Sequence, residues 1–266
     1  MQSIFLRGFV FYCGLTLCLP VSLSGQSPSE DGPSCISYAQ CNTLGTSELK
    51  SGHFDAAIHL FEQQAAFAEV ADIDRQTSSK EALFHSPYKI SLTAYNNLAL
   101  AHLEKHDYFW ARAWALVALM WDKDNSAAQF NLRKIEQALA QWQWPKTMAG
   151  EYVRYAGRGT WQSIVIKPSA PDSVQFCFSG LWWGLGKGPS GLGDLRATVP
   201  FHKDVAEYST HEFSENECHI SMRFYADRLE AKQTGDDSDC GFGHNVAVEG
   251  TFQRISSSAE CPPEEK

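Results

Sequence analysis

The hydrophobic rhythm of this chain changes near Pro145, and that change limits the folds open to it. From about Cys35 to Trp144, apolar and small residues recur at three-and-four spacing: Phe54, Ala57, Ile58, Phe61, Ala65 and Ala68, then Tyr108, Ala111, Ala115, Ala118 and Leu119. Such spacing lines one face of a helix. Beyond Pro145 the period is two. Ile164 and Ile166 alternate with Val165 and Lys167, Val174, Phe176 and Phe178 with Gln175, Cys177 and Ser179, and Ile220, Met222 and Phe224 with His219, Ser221 and Arg223. Alternation of this kind marks strands with one buried face. The expected class is therefore α+β, with helical hairpins over 35–145 followed by an antiparallel β-barrel or sandwich over 146–256. Strands are expected around Tyr152, Ile164, Phe176, Leu195, Tyr208, Met222, Leu229 and Val248. The half opens with Gly150-Glu151-Tyr152-Val153-Arg154-Tyr155 and ends with Glu249-Gly250-Thr251-Phe252-Gln253-Arg254, each a Gly followed by an aromatic-bearing strand. Like first and last strands suit a closed sheet, since closure removes exposed edges.

The N-terminus reads as a secretory signal over residues 1–24. Arg7 is the only charge before Glu30, an apolar run follows from Gly8 to Leu23, and Ser22-Leu23-Ser24 offers small residues for cleavage. The run is roughly 16 residues, shorter than the ~20 of a spanning helix. A periplasmic or secreted chain is expected, with no stable membrane insertion after cleavage. Residues 25–34 are rich in Ser, Pro, Gly and acid and read as a flexible arm, and 257–266 as a flexible tail.

Cleavage would remove Cys13 and Cys18 from the 8 cysteines, leaving Cys35, Cys41, Cys177, Cys218, Cys240 and Cys261. An even number in an exported chain favours disulfides. No CxxC occurs, so zinc-finger and thioredoxin-like chemistry lack support. Cys218 and Cys240 flank an expected hairpin and are the preferred pair. Cys35 with Cys41 requires unwound chain, because six helical steps span about 9 Å. Cys177 with Cys261 remains by elimination.

The helical half carries a repeat. Leu44-Gly45, Gly52-His53-Phe54, Ala57 and Phe61 form one unit; Leu98-Ala99, Asp107-Tyr108, Ala111, Ala118-Leu119 and Asp124-Asn125 form the next. Over about residues 41–142 this resembles the tetratricopeptide repeat (TPR), in which antiparallel helices pack through small residues. The second unit has His106 at the usual turn glycine, and the first has Gln64 at a usually small position. About 20 extra residues fall between the units, across Asp72 to Tyr88 with Ser86-Pro87 as breaker, and Ser126 to Trp142 supplies a closing helix capped by Asn125 or Ser126. The resemblance implies a protein or peptide partner on the face formed by the first helices, at Asn42, Thr46, Lys50, Asn96, Leu100 and Glu104. Lys50 is the sole cation of the six and Glu104 opposes it, so a carboxylate clamp is not carried over. Support of the β-half, or a homodimer, is the alternative role.

In the β-half, Gly180 to Gly193 reads as a glycine-rich loop. It fails as a P-loop, because Leu181 stands where the first Gly belongs and Gly188 follows Lys187. Trp182 and Trp183, with Trp161, either contact a glycan or other small ligand or close the end of the barrel. No metal site is expected: Gly241 breaks the calcium-loop order of Asp236-Asp237-Ser238-Asp239-Cys240-Gly241, and His202, His211, His219 and His244 lack close ligand spacing. No G-x-S-x-G or H-E-x-x-H occurs. The formal charge of −9 argues against nucleic acid. The leading expectation is an exported, cofactor-free, non-enzymatic protein that binds a protein or peptide. The alternatives are a glycan- or small-ligand-binding β-domain, or an inhibitor of a cell-envelope hydrolase.

Overall fold

The computed structural model describes residues 32–78, 91–142, 146–184, 189–257 and 260–261. The signal segment, most of the arm, Ser86-Pro87, Pro145 and Lys187 lie outside the described residues. Among these described residues five α-helices come first: α1 (Tyr38–Lys50), α2 (Phe54–Ser78), α3 (Thr93–Glu104), α4 (Tyr108–Trp121) and α5 (Ser126–Leu139). Eight strands follow: β1 (Gly150–Gly157), β2 (Thr160–Ala170), β3 (Ser173–Trp183), β4 (Pro189–His202), β5 (Val205–Thr210), β6 (Cys218–Phe224), β7 (Arg228–Thr234) and β8 (Gly250–Ser256). They pair antiparallel in chain order, and β8 returns to β1, so the sheet is a closed barrel rather than a sandwich. Among the described residues, no helix is long and apolar enough to cross a membrane.

The helices form two antiparallel hairpins, α1 with α2 and α3 with α4, and α5 packs on the second. At Gly45 the first hairpin closes: a Cβ there would stand 2.6 Å from the Phe61 ring. The two hairpin turns share one geometry. His53 N–H reaches back to Glu48 O and Gly52 N–H to Leu49 O; Asp107 N–H reaches His102 O and His106 N–H reaches Leu103 O. This helix-ending motif needs one left-handed residue, supplied by Gly52 (φ +79°) and by His106 (φ +62°). Asn125 caps α5 through Ala128 N–H at 2.8 Å. The expected insert begins as helix, since α2 continues to Ser78.

Disulfides join Cys35–Cys41, Cys177–Cys261 and Cys218–Cys240. The first closes a Cα separation of 5.2 Å with only half of the intervening chain unwound, because α1 begins at Tyr38. Both ends of the described chain are held more firmly than composition suggests. Gln63 accepts from Cys35 N–H and donates to Pro33 O, which lays the end of the arm along α2. The tail is tied at Cys261 and by the Lys167–Glu260 ion pair.

The barrel core gathers the inward residues of alternating strands, Tyr152, Ile164, Ile166, Phe176, Phe178, Ile220, Met222, Leu229 and Phe252 among them. Two expectations fail here. The last strand starts at Gly250; Val248 is buried but lies before it. Its alternation with Val246 arises because the β7–β8 connection turns into the barrel mouth and buries Phe242, Val246 and Val248 in the core. And Gly180–Gly193 is mostly sheet, not loop: Gly180 pairs with Gly193 and Trp182 with Gly191. Its glycines make room for the inserted segment. A Cβ on Gly193 would meet the Phe242 ring at 2.8 Å, and one on Gly191 would strike the His244 carbonyl.

Candidate functional site

The two halves meet along α2 and α4. Glu62 and Glu69 are seven residues apart on α2, so they share a face. Against that face lies the β1–β2 turn, Gly157-Arg158-Gly159, with all three residues at positive φ. Arg158 N–H donates to Glu69 Oε2 at 2.7 Å, while Tyr95 donates to Oε1 at 2.6 Å and Tyr155 donates to the same oxygen. Glu69 is only 8% exposed. Three donors are what make a buried carboxylate tolerable. Burial above all, and the neighbouring Glu69 carboxylate, hold both phenols well above the ordinary tyrosine range. Among the described residues no such set of donors surrounds Glu62, and burial pushes its carboxyl up to about 7.

Beside this cluster, Trp161 packs edge-on against Trp110, Trp114 and Tyr155 at centroid separations of 5.2, 4.8 and 5.1 Å. Between those two tryptophans on α4, Arg112 donates to Asp227 at 2.7 Å and Gln253 at 2.6 Å, both on the barrel, and to Glu136 of α5. Trp161 thus lies half-buried in the seam between the two halves.

The six residues expected on the first-helix face divide between two roles. Asn42 Oδ1 accepts from Gln64 of α2 and from Asn97 of α3, both at 3.2 Å. Asn42 thereby ties α1 to both α2 and α3, and the buried Gln64 supplies the α2 link. Asn96 Nδ2 donates to Asn125 Oδ1 at 3.2 Å and the Asn96 backbone carbonyl accepts from Asn131 Nδ2, joining α3 to α5. These two asparagines set the spacing of the face. Thr46 and Leu100 are half-buried, and Lys50 and Glu104 are exposed at the C-terminal ends of α1 and α3. At that end Gly52, His53, Phe54, Asp55, Ala56 and Lys105 line a shallow depression of about 340 Å³, with the Lys105–Asp55 ion pair across it. Asn97 belongs with the six; its sequence signal is the Asn96-Asn97 pair one helical turn before Leu100.

The tryptophan pair is split by strand alternation. Trp182 packs against the barrel core and meets His244 edge-on at 5.5 Å. Trp183 faces outward, donates to Thr160 Oγ1 at 2.8 Å, and lies under the Arg158 guanidinium at 4.6 Å. Trp161, Trp182 and Trp183 therefore point to three different environments and form no single platform. His202, His211, His219 and His244 stay apart as well, and no cluster of metal-binding side chains occurs among the described residues. The Asp236–Gly241 segment is a hydrogen-bonded turn. Asp239 accepts from Ser214 at 2.5 Å, first among the causes that hold its carboxyl below the usual range.

No family model, curated protein or solved structure matches this chain.

Proposed function

We propose that this is an exported, non-enzymatic interaction protein whose α1/α3 face takes a peptide segment of a protein partner, and that its helical half is a short TPR-like module. The observation that carries the reading is where the barrel docks. Its polar anchors fall mainly on α2 and α4, at Glu69 and Arg112, while Lys50 and Glu104 on the opposite helices face solvent. The barrel then acts as a buttress: it supplies the stacking surface that two repeats lack, since repeat modules ordinarily need three or more. The shared hairpin turns and the Gly45–Phe61 contact support the TPR-like reading. The three disulfides support export, because they persist in oxidising compartments.

Recognition here rests on shape, on Leu100 and Thr46, and on the Lys50 and Glu104 charges at one end. The test is affinity capture from the exported fraction of the source cell with the wild-type chain and with T46E/L100E. Loss of one stoichiometric partner in the variant, at unchanged thermal stability, supports the reading. Equal retention of every captured protein removes it.

A further inference from the structure

The closed barrel has one end filled in an unusual way. An eight-stranded barrel is wide enough either to fill with strand side chains or to hold one small ligand. Here Gly180 on β3 and Gly191 and Gly193 on β4 leave the wall bare near one mouth. The space is taken by the β7–β8 connection. A Cβ on Gly180 would meet Val246 Cγ1 at 3.0 Å, one on Gly193 would meet it at 2.9 Å, and the Phe242 ring lies 5.3 Å from Phe178, tilted by 56°. From Gly235 to Glu249 the connection forms no ladder with any strand. It is held by the Cys218–Cys240 disulfide, by Gly243 N–H to Leu192 O at 2.7 Å, and by Val248 N–H to Gln233 Oε1 at 3.0 Å.

On the same level of the wall stands an arginine. Arg154 pairs with Gln162 across β1 and β2, one step from the Ser163–Ser179 pair that leads to Gly180 and Gly193. Its guanidinium donates to Gln162 Oε1 and to two carbonyls of the inserted segment, Ala247 O and Glu249 O. Among the described residues no carboxylate is bonded to it. Burial lowers the basicity of Arg154, and the nearby charge of Glu249 opposes that. Gly250 makes room for this side chain, since a Cβ there would lie 3.1 Å from Arg154 Nη1. A largely buried guanidinium bonded to neutral oxygens is set to take an anion in their place.

We propose that this mouth is a binding site for an apolar carboxylic acid of the fatty-acid type, kept shut by the chain's own 240–249 segment. Phe242 and Val246 occupy the place of the tail, and the Ala247 and Glu249 carbonyls occupy that of the carboxylate on Arg154. The Cys218–Cys240 disulfide keeps the segment at high effective concentration, so a free acid competes poorly while it is intact. The proposal stands apart from the peptide-binding reading of the helical face.

The experiment titrates 11-(dansylamino)undecanoic acid, and its methyl ester, into the full-length oxidised chain and three variants: C218S/C240S, F242A and V246A. Near-UV circular dichroism identifies those that keep native packing, and only these are read. The wild type is expected to bind the acid weakly. At least one native-like variant binds it tenfold or more tightly than the wild type does, prefers acid to ester by tenfold or more, and loses that preference when R154Q is added. Natively packed variants that all bind no better than wild type overturn the proposal. So does equal uptake of acid and ester, which assigns the binding to exposed apolar surface alone. Wild-type binding as tight as that of the variants overturns the self-occupied site.

Discussion

Tyr155, on the first strand of the barrel, donates its hydroxyl to the carboxylate of Glu69 on α2. The Tyr95 hydroxyl and the Arg158 amide complete the shell of that carboxylate. Because the shell draws on both halves, neither half can leave without stranding buried polar groups. Helix loss followed in the far-UV and Trp161 packing followed by fluorescence should therefore show one urea transition. Y155F should cost about 1–2 kcal/mol and E69A about 3 kcal/mol, the larger figure because three donors lose their acceptor. Separate midpoints for the two probes in the wild type would contradict this coupling.

Glu62 makes the same seam sensitive to pH. Burial raises its carboxyl from 4.5 to about 7, so the folded chain holds a proton that the unfolded chain releases earlier. The penalty is absent below the unfolded value, grows as pH rises, and is complete above about 7. Melting temperatures of wild type and E62Q between pH 4 and 8.5 should diverge through that window, with the variant gaining as pH rises. A constant difference across the range would show that Glu62 carries no such penalty.

The matching hairpin turns allow a reciprocal experiment. Nothing lies within 4 Å of a Cβ built on Gly52, so the cost of G52A is purely one of backbone conformation. It should be about 1 kcal/mol. H106G should stabilise by about 0.5–1 kcal/mol, offset in part by loss of the contact between His106 Nδ1 and the Tyr108 hydroxyl at 2.9 Å. Chemical denaturation of both variants gives the two signs directly.

The disulfides should rank by the length of chain they close. Separations of 6, 22 and 84 residues correspond to about 2, 3 and 4.5 kcal/mol of lost chain entropy in the unfolded state. Paired serine replacements, compared by urea midpoint, should follow the order Cys35–Cys41, Cys218–Cys240, Cys177–Cys261. A greater loss for the first pair than for the last would mean that native contacts of the arm, such as those of Gln63, outweigh loop closure.

Much of this architecture was legible in the residues because local rhythm governs it. The three-and-four spacing through Ala57 and Phe61 became α2, and the two-step spacing through Phe176 and Phe178 became β3. What stayed hidden depends on partners remote in sequence. Val246 and Val248 alternate as a strand would, yet they are buried by insertion into the barrel mouth rather than by pairing. Gly180 and Gly193 look like loop residues until Phe242 and Val246, about 50 to 65 positions away, are placed over them. Glu69 lies between Ala68 and Val70 on α2, and nothing local announces that Tyr155 will reach it. Trp161 looked available because its partners, Trp110 and Trp114, sit in the other half.

The barrel seals only when β8 reaches β1. Until the residues from Gly250 onward have left the ribosome, β1 and β7 each offer an unfilled row of amides and carbonyls, open to any passing extended chain. A nascent molecule interrupted before Gly250 would carry α1 to α5 and β1 to β7 and still be sticky, so β8 is the decisive strand in closing the barrel.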